Sequence, residues 1–453
     1  MICNAEESFS PICDFLKEYT ASGIARMHMP GHKGRVPASY PDFLKEAAPF
    51  DLTEVAGADA LYEAEGIIGR SEDLTAALYG ADVTCYSAGG STLSILTMVA
   101  TAVSRCGGRI LAARNAHVAF TNACALTGAE PAWIFPEYDR KTGLCLPVTP
   151  EQAAAAMDAE PDAKIFYLTS PDYYGVIADL AGIAAEVHKR GGILIVDSAH
   201  GSHLPFAPGQ GHPIGLGADL ACDSPHKTLP VLTGGSLLHS RLPGVTKAQL
   251  KAAMALFGST SPSYLIMASL DACQKWLREK GKTAFAALDR RVRETEQQLR
   301  EQGVTLLERK TDCTKITVDC QQMGYTSDEI AAVLRKNGVE PEFSGGGKVV
   351  LMVSPLTPDE DFVRLTRALC LQKRDPVPYP EAEIHPNRVL SVREAVFSPA
   401  EEVPTDKSAG RIAAVSQISC PPGIPVVAAG EQIGENEKKL LKNSGIFSVF
   451  VVK

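Results

Sequence analysis

Short apolar runs alternate with longer amphipathic runs from about Leu74 onward, and this alternation constrains the fold more than any other feature of the 453-residue sequence. The run Ile193–Val196 (ILIV) is apolar throughout, as expected for a strand that helices cover on both faces. Strands that alternate with helices predict an α/β fold with a mostly parallel sheet. The predicted strands are Val83–Tyr86, Arg109–Ala112, Ala132–Phe135, Lys164–Thr169, Ile193–Val196, Leu220–Cys222 and Ser236–His239; the predicted helices include Thr92–Ala102, Phe120–Leu126, Glu151–Met157 and Leu180–Lys189.

The pattern changes after this large domain. Two long helical stretches, near Ser263–Glu279 and Ala284–Gln302, are followed by a strand–helix–strand–helix series that predicts a smaller α/β domain. Its predicted elements are the strand Thr314–Val318, the helix Ser327–Lys336, the strand Val349–Val353 and the helix Asp359–Leu371. We therefore predict an N-terminal arm with or without a helix (1–50), a large domain (51–300), a small α/β domain (301–373), a proline-rich linker (Asp375–Pro386) and a C-terminal domain (386–453).

Composition excludes several classes of protein. The net charge of −9 argues against a general nucleic-acid binder, which needs a basic face. No apolar run reaches the roughly 20 residues that a membrane span needs, and the first residues show no basic stretch followed by an apolar run, as a secretory signal would. The 12 cysteines form no CxxC pair, which favours reduced thiols. We expect a cytoplasmic protein that acts on a small molecule.

Polar residues follow several predicted strands at the point where each strand ends. In open parallel sheets, ligands bind at the carboxyl ends of the strands. Each residue also has a plain structural interpretation: a helix cap for Asp197, a tight turn for Gly-Gly-Ser-Thr, a core histidine for His117 and a surface cation for Lys227. The residues at these strand ends are Gly90, Ser91, Thr92, His117, Thr169, Ser170, Asp197, Ser224, His226 and Lys227.

Taken together, these residues match the needs of pyridoxal 5'-phosphate (PLP). That cofactor requires a lysine amine for a Schiff base, a carboxylate beside its pyridine nitrogen, N–H groups and hydroxyls at a helix N-terminus for its phosphate, and a flat group over its ring. A nicotinamide enzyme would instead need GxGxxG after its first strand, and the sequence has none there. The residues that fit the four roles, in that order, are Lys227, Asp197, the trio Gly90, Ser91 and Thr92, and His117, with Ser224 and His226 as further phosphate contacts.

The order of the motifs along most of the chain resembles the ornithine/lysine/arginine decarboxylase family, whose members are PLP enzymes with the aminotransferase-like fold (fold type I). The segments that carry the resemblance are MHMPGHKG (27–34), DLTEVAGADALYEAEG (51–66), GGST, RNAH, SPDYYG, VDSAHG, SPHK and the tail REAVF…GRIAA…PPGIPVVAAGE (393–431). The resemblance implies Lys227 as the Schiff-base lysine, Asp197 as the pyridinium partner and His117 stacked on the ring. It also implies Ala199 and His200 beside the cofactor, with His200 as a candidate for proton handling.

The sequence departs from the family pattern at several motifs. Gly89 replaces an Asn, Val118-Ala119 replaces Lys-Ser, and Ser198 replaces a Glu. Asp172 replaces a Thr, and Gly234-Gly235 stands where many members have a Gln and a small residue. These changes leave the residues expected to hold the cofactor in place, so they bear on the substrate more than on the chemistry.

The resemblance implies PLP-dependent α-decarboxylation of a basic amino acid (arginine, lysine or ornithine), as in polyamine biosynthesis, by a dimer or higher homo-oligomer with its active site at the interface. A basic side chain needs carboxylates at the far end of the pocket; the candidates are Glu54, Asp59, Asp172 and Glu342. Two alternatives remain. One is another class of PLP enzyme, such as a lyase or an aminotransferase with a carboxylate-binding arginine (Arg388 or Arg393), and the other is a non-catalytic PLP-binding protein.

Overall fold

The computed structural model describes residues 8–307, 312–372, 374–379, 386–419 and 424–453. The helices are α1 (Pro11–Ala21), α2 (Asp42–Ala47), α3 (Ile67–Tyr79), α4 (Gly90–Cys106), α5 (Val118–Thr127), α6 (Pro150–Ala159), α7 (Leu180–Lys189), α8 (Pro225–Thr228), α9 (Lys247–Ala255), α10 (Tyr264–Trp276), α11 (Lys282–Glu301), α12 (Ser327–Lys336), α13 (Asp359–Ala368), α14 (Val392–Phe397) and α15 (Glu435–Asn443). The strands are β1 (Val83–Ser87), β2 (Arg109–Ala113), β3 (Glu130–Ile134), β4 (Tyr138–Asp139), β5 (Leu144–Cys145), β6 (Ile165–Thr169), β7 (Ile193–Ser198), β8 (Leu220–Asp223), β9 (Ser236–Ser240), β10 (Lys315–Asp319), β11 (Phe343–Gly345), β12 (Lys348–Met352), β13 (Ala400–Pro404), β14 (Gln417–Ser419), β15 (Ile424–Val427) and β16 (Ser448–Val452).

The large domain is built on a seven-stranded sheet with the order β1-β9-β8-β7-β6-β2-β3. All neighbouring strands from β8 to β3 pair in parallel, whereas β9 pairs antiparallel with both β1 and β8. The connection from β8 to β9 spans only residues 224–235, and it returns the chain in the opposite direction. The α/β fold and the mostly parallel sheet predicted from the sequence are confirmed.

Helices cover both faces of this sheet, which explains why its central strands are apolar throughout. Successive side chains of a strand point to opposite faces, so Leu194 and Val196 pack with α6 and α7 while Ile195 packs with α4 and α5. This division of the strand residues between two faces decides which polar side chains meet at the ends of the strands.

The second predicted unit forms a three-stranded antiparallel sheet with the order β10-β12-β11. Helix α12 has the predicted bounds, and α13 begins at the predicted residue. Strand β11 was not predicted, because a three-residue strand that ends in Gly345 shows no periodic pattern. The domain boundaries remain predictions, and residues 380–385 of the predicted linker lie outside the described residues.

The N-terminal segment is attached to the core by its first helix. Ile12, Phe15 and Leu16 of α1 are buried in the same apolar cluster as residues of α10 and α11. The segment that follows exposes large apolar side chains, among them Met27 (92% exposed) and Phe43 (67% exposed). Of the predicted arm, the part after α1 therefore exposes large apolar side chains to solvent, whereas α1 itself packs on the core. Within the described ranges, no helix is both long enough and apolar enough to cross a membrane.

Candidate active site

The carboxyl ends of three neighbouring parallel strands bring the predicted site residues together. Asp197 lies near the end of β7, opposite Thr169 of β6 and Cys222 of β8. Strand β8 ends at Asp223, and the chain turns at once into the single-turn helix α8, which carries His226 and Lys227. The strand-end position predicted for Lys227 is therefore the position it has in the structure.

Lys227 and His200 are in direct contact. The Lys227 Nζ lies 3.2 Å from the His200 Nε2. Burial lowers the pKa of Lys227, and the nearby cation Lys315 lowers it further, although Asp197 opposes the change. Burial together with Lys315 and Lys227 also holds the pKa of His200 well below its usual value. A neutral His200 can accept a hydrogen bond from Lys227, and a lowered lysine pKa leaves more of the neutral, nucleophilic amine.

Asp197 is a buried carboxylate beside this pair, with a side chain that is 2% exposed. Its Oδ1 accepts the N–H of Ala199 at 3.1 Å, and its Oδ2 accepts the hydroxyl of Tyr167 at 3.3 Å. The thiol of Cys222 lies 3.7 Å from Oδ1. Tyr167 and Cys222 were not predicted as site residues, because both lie inside apolar strands. The sequence of such a strand does not distinguish a site residue from a core residue.

A cradle for an anion is formed where α4 begins. Gly90 has a φ of +67°, and Ser91 and Thr92 follow it in the first turn. Backbone N–H groups at a helix N-terminus attract anions. The sequence departs from the family pattern at Gly89. A Cβ at this position would lie 3.0 Å from the side chain of Leu93, so that side chain would have to shift.

Ser224 and His226 are held differently from each other. The Ser224 Oγ is buried and has no hydrogen-bond partner. Buried polar atoms are nearly always hydrogen-bonded, so this hydroxyl is available to a ligand. The His226 Nδ1 lies 2.8 Å from the carbonyl oxygen of Gly235, to which the ring N–H donates. That contact fixes the orientation of the imidazole and leaves its Nε2 available to a ligand.

His117 lies at the N-terminus of α5, where its Nδ1 accepts the N–H of Ala119 at 3.2 Å. Burial lowers the pKa of His117, Asp197 opposes the change, and Lys227 adds to it. Asp197, which also acts on Lys227, and Lys227, which also acts on His200, are thus the two charges that act on His117. The structure brings the imidazole, the carboxylate and the amine to one site, and their roles toward a cofactor stay predictions.

The four candidate carboxylates for a basic side chain differ in their contacts. The Asp59 carboxylate accepts N–H groups of residues 60, 65, 66, 68 and 69, and so holds the turn before α3. The Asp172 Oδ1 accepts the N–H groups of Tyr174 and Val176 at 2.9 Å each, while Glu54 lies exposed with a hydrogen bond from Thr53. These contacts give Asp59 and Asp172 structural roles.

Glu342 differs from the other three carboxylates in its neighbours. It lies before β11 on the small domain, and its Oε1 accepts the hydroxyl of Tyr173 at 2.9 Å. The Tyr173 ring meets the His200 ring edge-to-face at 5.3 Å between centroids. Glu342 is also among the charges that raise the pKa of Lys227. The residue is exposed, and its neighbour Tyr173 contacts His200, the partner of Lys227.

The two arginines considered for an aminotransferase lie elsewhere. Arg388 pairs with Glu130 at 3.0 Å and donates to the carbonyl of Pro131 at 2.9 Å, at the start of β3. Arg393 donates to the carbonyls of Ala125 and Leu126 near the C-terminus of α5. These contacts lie at the opposite end of the sheet from the carboxyl ends of β7 and β8.

A half-buried lysine and a buried aspartate at the carboxyl edge of this mostly parallel sheet are the arrangement expected for an enzyme of the fold type I class. The chain matches the family model of the Orn/Lys/Arg decarboxylase major domain over residues 10–318, and that of the Orn/Lys/Arg decarboxylase C-terminal domain over residues 371–446. The protein belongs to the Orn/Lys/Arg decarboxylase family. The resemblance inferred from the ordered motifs, and the enzyme class it implies, are confirmed.

Individual relatives agree with this assignment. An arginine decarboxylase of Bacillus subtilis (strain 168) is 31% identical over 464 residues, which cover 96% of this chain and 93% of the relative. The crystal structure of the Francisella novicida lysine decarboxylase LdcF has a TM-score of 0.85 at 17% identity, covering 98% of this chain and 81% of that one. A solved structure of SPT with PLP has a TM-score of 0.53 at 15% identity, covering 67% of this chain and 75% of that one.

Proposed function

We propose that this protein is a PLP-dependent decarboxylase that converts a basic amino acid into the corresponding amine and carbon dioxide. The observation that carries the proposal is the contact between Lys227 and His200, 3.2 Å apart, next to the buried carboxylate of Asp197. Family membership supports the reaction class, and the positions of these three groups support Lys227, Asp197 and His200 as the residues that perform it.

The residues present fit PLP. The Ser224 hydroxyl is buried without a partner beside α8, and α4 begins at Gly90, where a Cβ would meet nothing within 4 Å. Both features suit a phosphate, and His226 offers an Nε2 next to Ser224. The solved SPT structure with PLP, which shares the fold, supports the same cofactor. When bound, PLP supplies an electron sink for the bonds of the substrate's α-carbon.

The side chains then have distinct tasks. Lys227 would hold the cofactor covalently, and its lowered pKa favours the neutral amine that this requires. Asp197 would retain a proton on the pyridine nitrogen, and His117 would cover the ring. Because the His200 Nε2 and the Lys227 Nζ are in contact, a proton can pass between them. This pair would take up a proton from the ammonium group of the incoming substrate and deliver it to the α-carbon in place of the lost carboxylate.

Glu342 supports a basic substrate. It is an exposed residue of the predicted small domain, and it is near enough to Lys227 to raise the pKa of that lysine. A guanidinium or ammonium group forms its strongest contacts with carboxylates. The relatives are named arginine decarboxylase and lysine decarboxylase, so we propose arginine or lysine as the first substrates to test, followed by ornithine.

The observed contacts favour decarboxylation over transamination. An aminotransferase needs an arginine for the α-carboxylate, and both arginines considered for that role are bound at the far end of the sheet. A protein that had lost its catalytic function would have no need to keep the Schiff-base lysine Lys227 together with Asp197 and His117.

We further propose that the protein works as a homodimer or larger homo-oligomer in the cytoplasm. The exposed side chains of Ile24, Met27, Met29 and Phe43 lie close together in the sequence, as expected for a segment that a second copy covers. The ten cysteines within the described residues are free thiols, which supports a reducing compartment.

The test is an assay of product mass. Purified protein with PLP is incubated separately with arginine, lysine and ornithine, and with citrulline as a neutral match for arginine. Mass spectrometry should find agmatine, cadaverine or putrescine from at least one basic amino acid and no decarboxylated citrulline. Keto acids or elimination products instead of amines would refute the proposed reaction, and equal turnover of citrulline would refute recognition of the distal cation.

A further inference from the structure

A buried ion pair joins two of the sequence motifs through residues, Arg114 and Glu431, that have no place in the proposed chemistry. Arg114 opens the RNAH motif at the end of β2, and Glu431 ends the tail motif PPGIPVVAAGE. The Arg114 Nη1 and Nη2 lie 2.6 and 2.7 Å from the two carboxylate oxygens of Glu431. Their side chains are 1% and 2% exposed. Residues 317 positions apart thus form a fully buried, bidentate contact.

Further contacts hold each partner in place. The Arg114 Nε donates to the carbonyl of Pro425 at 3.1 Å, and its guanidinium lies 4.9 Å from the centre of the Trp133 ring. The Glu431 Oε2 also accepts the N–H of Ala428 at 2.7 Å. The planar fork of an arginine fixes orientation as well as distance when it meets a carboxylate in this way.

The C-terminal segment holds the helix α5 at two further points. The Ser416 hydroxyl donates to the Thr121 Oγ1 at 3.1 Å, and Arg393 donates to the carbonyls of Ala125 and Leu126 near the helix C-terminus. A cation at that end of a helix is favourable because the last carbonyls lack partners. His117 is the residue at the other end of α5, three positions after Arg114.

We propose that Arg114 and Glu431 are positioning residues, through which the C-terminal segment sets the placement of His117 against the cofactor. This inference rests on the proposed function, because it takes His117 as the group that covers the PLP ring. Only Asn115 and Ala116 separate Arg114 from His117, so fixing Arg114 restrains the start of α5 and with it the imidazole. Stability alone gives no reason for the pair, since a well-packed apolar pair of similar volume is often as stable as a buried ion pair.

The experiment measures cofactor affinity in full-length Glu431→Gln by titrating the apo-protein with PLP and following the yellow absorption of the lysine-bound form. The matched control is Glu160→Gln. Glu160 pairs with Arg109 at the other end of β2, again through two contacts (2.7 and 3.1 Å), but this pair is half-exposed and distant from His117. We expect the Kd of PLP to rise about ten-fold or more in Glu431→Gln and to stay unchanged in Glu160→Gln.

A second variant separates positioning from folding. In Arg114→Met/Glu431→Leu no buried charge is left unpaired, so we expect thermal unfolding close to wild type together with the weakened PLP binding of Glu431→Gln. Partial recovery of affinity in Glu431→Asp is also expected. Wild-type PLP affinity in the folded double variant would overturn the positioning role. Wild-type protein that takes up no PLP would refute the proposed function itself, so the two failures can be told apart.

Discussion

Two buried aspartates end neighbouring strands of the same sheet, and they have different surroundings. Asp197 belongs to β7, and Asp223 belongs to β8, directly before the segment that carries Lys227. In the register of the two strands Asp197 lies opposite Cys222, and Asp223 lies opposite Ser198. Since alternate residues point to opposite faces, the two carboxylates point to opposite faces of the sheet. Asp197 faces the side of α4 and α5, where the predicted cofactor residues lie.

Asp223 faces a closed group of core histidines on the other side. Its Oδ2 lies 2.9 Å from the His212 Nε2 and 3.2 Å from the His239 Nε2. Burial disfavours the charged carboxylate, but the two histidines outweigh burial and hold the pKa of Asp223 below its usual value. Tyr79 stacks on the His239 ring at 4.6 Å between centroids.

The spacing of these three residues would also suit a metal ion, since their ligand atoms lie within 4.8 Å of one another. The other ring nitrogens argue against this use. The N–H of Ile214 donates to the His212 Nδ1, so the Nε2 of a neutral ring carries the proton and donates to Asp223. The Thr84 hydroxyl lies 2.8 Å from the His239 Nδ1 and allows the same arrangement there. The face of the sheet on which each aspartate lies thus decides its neighbours, which are the predicted cofactor residues for Asp197 and core histidines for Asp223.

Among substitutions at the site beside Asp197, we expect Lys227→Ala to have the largest effect. Activity should fall by at least about a thousand-fold, because the variant lacks the amine that holds the cofactor. Borohydride reduction followed by peptide mass spectrometry should find PLP fixed to Lys227 in the wild type and no fixed PLP in the variant. A borohydride-fixed cofactor in Lys227→Ala would show that another lysine does this work.

Asp197→Asn should separate activity from stability. We expect activity to fall roughly a hundred-fold or more, because an amide does not hold a proton on the pyridine nitrogen. Asparagine can still accept the N–H of Ala199, so the free energy of unfolding should change by less than about 1 kcal/mol. Steady-state kinetics and urea unfolding measure the two quantities. A large stability loss with normal activity would reverse the roles of Asp197 and Asp223.

Asp223→Asn should show the opposite balance, with a loss of about 2–4 kcal/mol in the free energy of unfolding, because two buried imidazole N–H groups lose a charged acceptor. The folded pKa of Asp223 is lowered, so its contribution is present above the unfolded pKa and is lost as the pH falls through the folded pKa. Urea unfolding curves of the wild type and the variant should therefore converge in acid. Metal that copurifies with the wild type and is absent from the variant would contradict the hydrogen-bond interpretation.

The smallest effect concerns a third buried aspartate, Asp172, which lies just after β6 and accepts backbone N–H groups. Burial raises its pKa to about 6. A carboxyl group whose pKa is raised in the folded state stabilises the protein at low pH, and this contribution is lost as the pH rises through the folded pKa. At pH 8 the buried carboxyl of Asp172 is therefore ionised at a cost in stability. Asp172→Asn keeps an acceptor for Tyr174 and Val176 and should stabilise the protein by about 1–2 kcal/mol at pH 8.

At pH 5 that gain should shrink, because the wild-type carboxyl is then already protonated in the folded state. Urea unfolding at the two pH values measures both numbers. An equal gain at both would mean that ionisation of Asp172 is not the cause.

The sequence predicted more of the fold than of the contacts within the site. The predicted large-domain strands lie within two residues of the observed bounds, and the largest shift at a strand start is that of Ala132–Phe135, which became β3 at Glu130–Ile134. The residues for the predicted cofactor also follow the strands as expected. Tyr167 and Lys315 were missed, because each lies in a strand whose pattern indicates only a buried position. Arg388 and Arg393 were considered for the site but bind a distant edge of the large domain.

The sequence by itself determined the α/β class, the order of the strands along the chain and the motifs at their ends, because hydrophobic periodicity and turn residues act over a few positions. Only the tertiary structure decided which polar groups become partners. Tyr173 meets Glu342 across 169 positions, and Arg114 meets Glu431 across 317. Such pairs depend on how distant segments pack and on which face of a strand a residue occupies, and a shift of one residue would send a side chain to the opposite face.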